Sequence, residues 1–246
     1  MSGELPIRPI TAVEELEACV EMQSQVWGFG DRDLVPRRML VVANKIGGLV
    51  LGAWDGPRLA GFALALPGNR QGKLYWHSHM LAVAEGYRDR GLGRQLKLRQ
   101  RQEALTQGIE WMEWTFDPLE IKNGYFNLAG LGAVSRRYYP NLYGQSSSML
   151  QAGLPTDRVV AEWWLRSPRV VALAQGKPVA AAPVAAARVE VPAEIYAWKR
   201  AGDPRAAELQ RRNREALLAA FADGLMAVGY ARSPQGGVFL LAREVA

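Results

Sequence analysis

The chain has 246 residues, of which 49% are hydrophobic and 22% charged, and its formal net charge is +6. This composition is typical of a globular protein that can bury a sizeable core, and no apolar run reaches the ~18 residues that span a membrane. A single cysteine excludes an intramolecular disulfide, and the cysteine and two histidines lack the spacing of zinc ligands. We therefore expect a cytoplasmic protein with no metal and no membrane partner, but with an anionic partner.

Apolar periodicity and turn residues predict strands and helices from residue 5 to residue 165. Thr11 and Glu14 are spaced as a capping box at the start of the first helix, and Cys19 falls on the apolar face of that helix. The turn Asp55-Gly56-Pro57 joins two strands of a meander. The predicted elements are strand 5–10, helices 12–27 and 36–45, a hairpin within 47–67, strand 74–83, helix 92–106, strand 109–116, helix 123–131, and strands 133–143 and 159–165.

The remaining third of the chain has a different composition. Residues 172–193 are rich in Ala and Pro, which indicates a linker or an extended edge segment. Asp203 and Pro204 then predict a helix start with an N-cap and a proline at the first helical position, and Gly224 ends that helix. A hairpin of strands 226–232 and 238–243 follows. We therefore expect a main domain over 1–171, the linker or edge segment, and an extension of helix plus hairpin over 194–246.

A strand, a glycine-rich turn and a helix follow one another between residues 74 and 106, and this order binds anions. The first N–H groups of a helix have no intrahelical partner, and Gly91 and Gly93 would let a phosphate approach them closely. The pattern lacks the third glycine of a nicotinamide-binding turn, and no P-loop motif is present. Basic residues gather here, either as ligands of an anion or as solvated helix surface: Arg88, Arg90, Arg94, Lys97, Arg99 and Arg101.

The stretch LAVAEGYRDRGLGRQL resembles motif A of the GNAT N-acyltransferases, in register from the strand end to the helix start. The resemblance implies an α/β (α+β) GNAT fold, with a mixed, mostly antiparallel central sheet splayed between strands 74–83 and 109–116 and flanked by helices. It makes 1–171 the catalytic domain and implies acetyl-CoA or another acyl-CoA as co-substrate. The donor-binding residues that it implies are Leu81, Ala82, Val83, Arg88, Asp89, Arg90, Gly91, Leu92, Gly93, Arg94 and Asn123.

Both histidines of the chain lie on the strand before this turn. Side chains two apart on a strand share a face, so His77 and His79 are expected to point the same way, as are Leu81 and Val83. An amine must lose its proton to attack a thioester, and a partly buried histidine can accept it at pH 7. HSHMLAV is similar to the strand of arylalkylamine N-acetyltransferases, which implies a water-linked relay through both histidines and an oxyanion contact at the Leu81 amide. The alternative is a pair of structural histidines.

The general acid is harder to assign. GNAT enzymes often place a tyrosine where this chain has Leu128, and Tyr125, Tyr138 or Tyr139 are possible substitutes, of which we select Tyr125. The coenzyme A thiolate is also able to leave without a strong acid.

A narrower resemblance concerns the acceptor. WTFDPLEIKNGYFNLAGLGAV and GLPTDRVVAEWWL resemble a bacterial GNAT subfamily that includes amino-acid N-succinyltransferases. This implies transfer of an acetyl or succinyl group to the amine of a small molecule, with an amino acid as the expected acceptor. A carboxylate on either substrate would need an arginine, and Arg158 and Arg212 are the candidates. Arg212 is expected near the apolar face of helix 204–223, where an internal ion pair is the alternative.

Two other function classes stay open. One is a protein lysine or N-terminal acetyltransferase, and the other is a non-catalytic acyl-CoA-binding or nucleic-acid-binding module. The sequence shows no helix-turn-helix, zinc-finger or RNP pattern, which argues against nucleic acid. We expect a monomer or a homodimer.

Overall fold

The computed structural model describes residues 5–30, 32–179 and 184–244, and it divides into two compact units. The first unit runs to Met112 and includes the short segment Ser147–Leu150; the second consists of Glu113–Ser146 and the chain from Gln151 onward. Helices long and apolar enough to cross a membrane are absent from the described part of the chain.

In its described residues, the first unit contains an antiparallel sheet of four strands in sequential order, three α-helices and a 3-10 turn at Glu85–Tyr87. Leu16 and Cys19 of the first helix and Leu40 of the second pack with Phe62 and Leu64 in one buried cluster, which confirms Cys19 as a core residue. The elements are β1 (Ile7–Pro9), α1 (Val13–Trp27), α2 (Arg37–Lys45), β2 (Leu49–Asp55), β3 (Arg58–Arg70), β4 (Lys73–Val83) and α3 (Leu92–Thr106).

The start of α1 differs from the prediction. The N-cap is Ala12, whose methyl group cannot accept a hydrogen bond, and Thr11 is exposed. The predicted capping box of Thr11 and Glu14 is therefore wrong. Glu15 instead pairs with Arg8 of β1 at 2.5 Å, so this part of the helix start is tied to the neighbouring strand by an ion pair.

The second unit contains strands in the order β5-β7-β6 and a separate antiparallel sheet in the order β8-β10-β9. The first two residues of β5 belong to the first unit. The elements are β5 (Trp111–Phe116), α4 (Ile121–Gly124), a π-helical turn (Tyr125–Gly130), β6 (Tyr138–Tyr139), β7 (Arg158–Trp164), α5 (Pro168–Ala174), β8 (Ala187–Pro192), α6 (Ile195–Ala201), α7 (Pro204–Ala222), β9 (Met226–Ser233) and β10 (Gly236–Ala242).

Most predicted elements are confirmed, and two segments differ. Of the strand predicted over 133–143, only Tyr138–Tyr139 forms a strand, because Val134 and Ser135 make isolated bridges to two different strands, at Glu162 and Ala227. The helix predicted over 123–131 begins at Ile121 and continues as a π-helical turn. Within 172–193, Ala187–Pro192 is an edge strand, whereas residues 180–183 lie outside the described part. The domain boundaries at 171 and 194 stay a prediction.

Side chains of α6 bind the residues at the start of α4. Lys199 of α6 is 8% exposed, and its Nζ lies 2.9 Å from Asp117 Oδ2 and 3.2 Å from Oε1 of Glu120, the N-cap of α4. The hydroxyl of Tyr196, also on α6, accepts from the first two backbone N–H groups of α4. Because helix N-termini need such partners, α6 completes a helix that lies far from it in sequence.

The helix predicted from Asp203 is confirmed. The Asp203 carboxylate accepts from the backbone N–H of Arg205 at 2.9 Å, and Pro204 occupies the first helical position. Gly224, with φ of 78°, follows the end of α7 as predicted. Both units together give the mostly antiparallel α/β architecture that was expected, while the splay predicted between β4 and β5 stays a prediction.

Candidate functional site

The glycine-rich turn connects the end of β4 to α3 through two residues with left-handed backbone. Asp89 has φ of 58° and Gly91, the N-cap of α3, has φ of 79°. A Cβ at Gly91 would meet no atom within 4 Å, so the backbone conformation, not lack of space, selects glycine there. The turn therefore delivers the chain into α3 at a fixed angle.

The N-terminus of α3 can hold an anion. Its N-cap, Gly91, has no side chain, and the first helical hydrogen bond of the described turn runs from the Gln95 N–H to the Gly91 carbonyl at 3.1 Å. The amides of 92–94 have no carbonyl ahead of them in the helix, and the helix dipole favours negative charge there. Arg88 fastens the turn, because its Nε donates to the carbonyl of Val83 at 3.1 Å, and Arg90 is exposed.

The helix start touches the end of β4. A Cβ built on Gly93 would lie 3.9 Å from the side chains of both Leu81 and Val83, which is ordinary van der Waals contact. The amides that can receive an anion are thus next to the strand segment along which the acyl donor was predicted to lie. Leu81 and Val83 point to the α3 side of the sheet, as a pair.

A β-bulge separates this pair from the histidines. Along the β3–β4 ladder Leu64 pairs with Met80, but the next residue, Ala65, pairs with Ser78, so His79 is an extra residue in β4. An extra residue shifts the two-residue alternation by one position. Ser78 consequently points to the α3 side, where its Oγ meets the side chains of Lys97 and Gln100.

His77 lies on the other face. It pairs with Leu66, which packs against the α1–α2 core, and its ring centroid is 6.0 Å from that of His79. The two histidines therefore stay together, as expected, and so do Leu81 and Val83. Regular alternation would have put both pairs on one face, and the bulge puts them on opposite faces.

His79 has the properties of a neutral base. Its side chain is reached by solvent, yet enough protein surrounds the ring that desolvation lowers the pKa of its imidazole. A histidine with a lowered pKa is unprotonated at pH 7 and can accept a proton. Among the residues that the structure describes, no group of three or more His, Cys, Asp or Glu side chains is arranged to hold a metal ion.

The second unit carries the predicted residues of the helix after β5. Asn123 is the third residue of α4, and Tyr125 opens the π-helical turn, with a side chain that is 44% exposed and the Arg232 guanidinium 5.3 Å from its ring centroid. Leu128, at the family's tyrosine position, is fully buried, and its carbonyl accepts from Arg169 at 2.9 Å. Deviations to π-helix often occur at functional sites.

The other two tyrosines differ in environment. Tyr138 is buried and donates to Asp157 at 2.5 Å, and desolvation followed by that carboxylate raises the pKa of its hydroxyl far above the usual range. Such a hydroxyl gives up its proton poorly. Tyr139 is 40% exposed. Tyr125 and Tyr139 are thus both exposed, and the selection of Tyr125 as the acid stays a prediction.

The two arginines predicted to bind substrate have different surroundings. Arg158 donates to the carbonyl of Asp157 at 2.8 Å and to Gln151 at 3.2 Å. Arg212 is exposed, so its expected position beside the apolar face of α7 is wrong. The internal ion pair belongs to Arg214, which binds the fully buried Asp157 at 2.7 Å. A shift of two residues along a helix moves a side chain by about 200°, which explains the error.

Comparisons with known proteins agree with this architecture. Residues 16–122 match the model of the Acetyltransferase (GNAT) family. No curated protein matches the sequence. Similar solved structures include the ribosomal-protein-S18-alanine N-acetyltransferase of Escherichia coli, with 14% identity, a TM-score of 0.52, and coverage of 66% of this chain and 94% of that chain.

Two further structures have the same extent of similarity. Aminoglycoside 6'-acetyltransferase type Ii has 17% identity and a TM-score of 0.52, over 66% of this chain and 99% of that chain. A Salmonella typhimurium protein assigned as an acetyltransferase and solved with its cofactor acetyl-CoA has 16% identity and a TM-score of 0.51, over 67% of this chain and 96% of that chain. At this level of identity, the similarity shows the fold.

Proposed function

We propose that the chain is an acyl-CoA-dependent N-acyltransferase of the GNAT superfamily, on the basis of the family match over 16–122 and the similar fold. It would move an acetyl or succinyl group from coenzyme A to the amine of a small molecule, and an amino acid is the proposed acceptor. The single observation that carries this proposal is the close approach of α3 to the end of β4, where a Cβ on Gly93 would lie 3.9 Å from the side chains of Leu81 and Val83.

That approach puts the elements needed for a thioester donor side by side. The pyrophosphate would bind the amides of 91–94, with charge from Arg90 and Arg94, and the pantetheine arm would follow 81–83. Arg88 would contribute from its position on the Val83 carbonyl. Asn123, in the second unit, is a further proposed donor contact. Acyl-CoA, when bound, supplies a thioester whose carbonyl carbon accepts a nucleophile.

The proposed reaction is direct transfer. The neutral amine attacks the thioester carbon, a C–N bond forms, and the carbonyl becomes an oxyanion that the Leu81 amide would stabilise. The extra proton on nitrogen would pass through water to His79 and His77, and the lowered pKa of His79 supports this role. The C–S bond then breaks, and the thiolate leaves, with Tyr125 as the proposed proton donor.

The histidines give the test of mechanism. His77→Ala and His79→Ala are each expected to lower kcat about 10²-fold, mostly at low pH, because the amine must then shed its proton unaided. Release of free thiol from acetyl-CoA and from succinyl-CoA, with a panel of amino acids, would measure this. If both single variants keep the wild-type pH–rate profile, the relay is wrong.

The donor loop gives the test of cofactor class. Arg90→Gln is expected to raise the donor KM roughly tenfold, and Arg58→Gln, which changes an exposed arginine of β3, serves as the control. Gly91→Val is less informative, since any side chain is strained at its positive φ. Absence of acyl-CoA binding by the wild type would contradict the proposal, whereas transfer to peptide amines alone would change the acceptor class.

A further inference from the structure

A buried polar cluster lies behind the histidine strand, on its α3 face. Lys97 of α3 is 2% exposed, and its Nζ donates to Ser78 Oγ at 2.9 Å and to Gln100 Oε1 at 3.0 Å. The Ser78 hydroxyl donates in turn to Gln100 Oε1 at 2.9 Å, and both residues are buried. Ser78 stands between His77 and His79 in the sequence, so the cluster is attached to the strand at the bulge.

The cluster depends on Ser78. Desolvation lowers the pKa of Lys97 well below its ordinary value, so burial disfavours the charged amine and makes its hydrogen bonds important. Buried polar atoms are destabilising unless they are hydrogen-bonded, and Ser78 supplies one oxygen to Lys97 and one hydrogen to Gln100. The fold is therefore favoured only when the Ser78 side chain is on the α3 side.

The bulge is what puts it there. Without an extra residue, the ladder would continue from the Leu64–Met80 pair to Ala65–His79 and Leu66–Ser78. Ser78 would then point away from α3, and the imidazole of His79 would have to enter the closed space beside Lys97. Because a slip of one residue exchanges the two faces of a strand, the cluster distinguishes the two registers.

We propose that Lys97, with Ser78 and Gln100, is a positioning residue that fixes the bulge in β4 and thereby keeps His77 and His79 off the α3 face. The catalytic part of this inference rests on the proposed function, in which both histidines relay the proton of the amine. Buried polar groups that select one register among several are known from other folds. Here the buried cluster would select the register of β4 and thereby the face of the sheet on which the histidines lie.

The test compares substitutions inside and outside the cluster on one helix. In Lys97→Met/Gln100→Met, Ser78 loses both partners, whereas Gln102→Met makes one of these two changes, Gln to Met, at an exposed position of α3. Amide hydrogen exchange of 77–80 is expected to rise at least tenfold in the double variant, relative to 62–64 of β3, and to stay at the wild-type rate in the control. This measurement needs no enzymatic activity.

Kinetics address the catalytic consequence. In the double variant kcat is expected to fall at least tenfold and to lose the histidine-dependent part of its pH profile, while the donor KM stays within about threefold because the loop 88–94 is unchanged. A general loss of structure would raise KM as well. Ser78→Ala should reproduce part of the fall in kcat. Ser78→Thr keeps a hydroxyl and should behave like the wild type.

The outcomes separate this inference from the proposed function. Unchanged exchange at 77–80 in the double variant and in Ser78→Ala would overturn the positioning role, whatever the activity. Faster exchange with unchanged kcat would keep the register role and contradict the relay. If the double variant does not fold, Ser78→Ala and Ser78→Thr decide: equal exchange and equal pH profiles in these two variants would overturn the inference.

Discussion

Each unit of the protein buries a lysine, and the two lysines have opposite properties. Desolvation lowers the pKa of Lys97 well below the usual value, because the hydrogen bonds described for its Nζ go to a hydroxyl and an amide oxygen. Desolvation acts on Lys199 too, but the charges of Asp117 and Glu120 outweigh it and raise the pKa of that amine. The difference teaches that partners, more than burial, decide whether a buried amine is an ion.

The two amines accordingly do different work. Lys199 forms ion pairs with Asp117 and Glu120 and so connects α6 to the start of α4. Each of these charges replaces water that the other has lost on burial. Lys97 donates to Ser78 Oγ, so its hydrogen bonding depends on the direction of one serine side chain. The ion pairs of Lys199 connect segments that are remote in sequence. The hydrogen bond of Lys97 to Ser78 forms in only one register of β4.

The largest expected effect concerns stability. Lys199→Met should lower the free energy of unfolding by about 3–5 kcal/mol, because Asp117 and Glu120 would be left buried without their cation. Lys97→Met should lower this free energy by much less at pH 7, since burial disfavours the charged form of this amine and offsets part of what its hydrogen bonds contribute. Urea unfolding of both variants measures the difference. Equal losses would mean that the two lysines are equivalent, contrary to the comparison above.

A pH series sharpens the comparison. Below pH 10.5 the unfolded chain protonates Lys97, whereas the folded chain resists protonation, so the contribution of Lys97 to stability increases with pH by up to about 1.4 kcal/mol per unit. Lys199 has a raised pKa, so its contribution is complete below 10.5 and is lost as pH rises through the folded value. The stability of Lys97→Met relative to wild type should therefore decline from pH 7 to pH 10, and a flat difference would contradict a depressed folded pKa.

The smallest effect is expected for exposed charges. Arg211 of α7 pairs with Glu208 at 2.6 Å and with Glu215 at 2.7 Å, but all three side chains are more than half exposed. Exposed ion pairs are screened by salt and lose side-chain entropy. Arg211→Ala should therefore leave the melting temperature unchanged at physiological salt, and a clear drop would show that ion-pair geometry matters here without burial.

Local signals in the sequence predicted the glycine-rich turn before α3 well, while its binding of a donor stays a prediction. Gly91, Gly93 and the arginines lie within one turn of the start of α3, so the pattern contains the whole arrangement. The bulge was not predictable in the same way, because one extra residue in β4 is stabilised by Lys97 and Gln100, about 20 positions away. In the sequence, Lys97 is one of the basic residues expected either to bind an anion or to lie on a solvated surface, whereas the structure buries it.

The second unit shows the same limit. The residues 133–143 alternate well enough to predict a strand, but Arg136 and Arg137 form ion pairs with Glu162, and Arg137 also with Glu113. These partners are remote in sequence and cannot be read from a local pattern. Arg214, not Arg212, pairs with the buried carboxylate of Asp157. The rotation of the helix decides which side chain faces inward, and composition does not reveal that rotation.

The start of α4 has a consequence for how the protein can be divided. The family match ends at residue 122, inside a helix that begins at Ile121, while the partners that complete this helix lie in α6. A polypeptide trimmed to the matched region would end within α4 and would expose Asp117 and Glu120 without Lys199. The boundary of the family match is therefore unsuitable for producing a soluble fragment. An expressed protein should include the chain through β10.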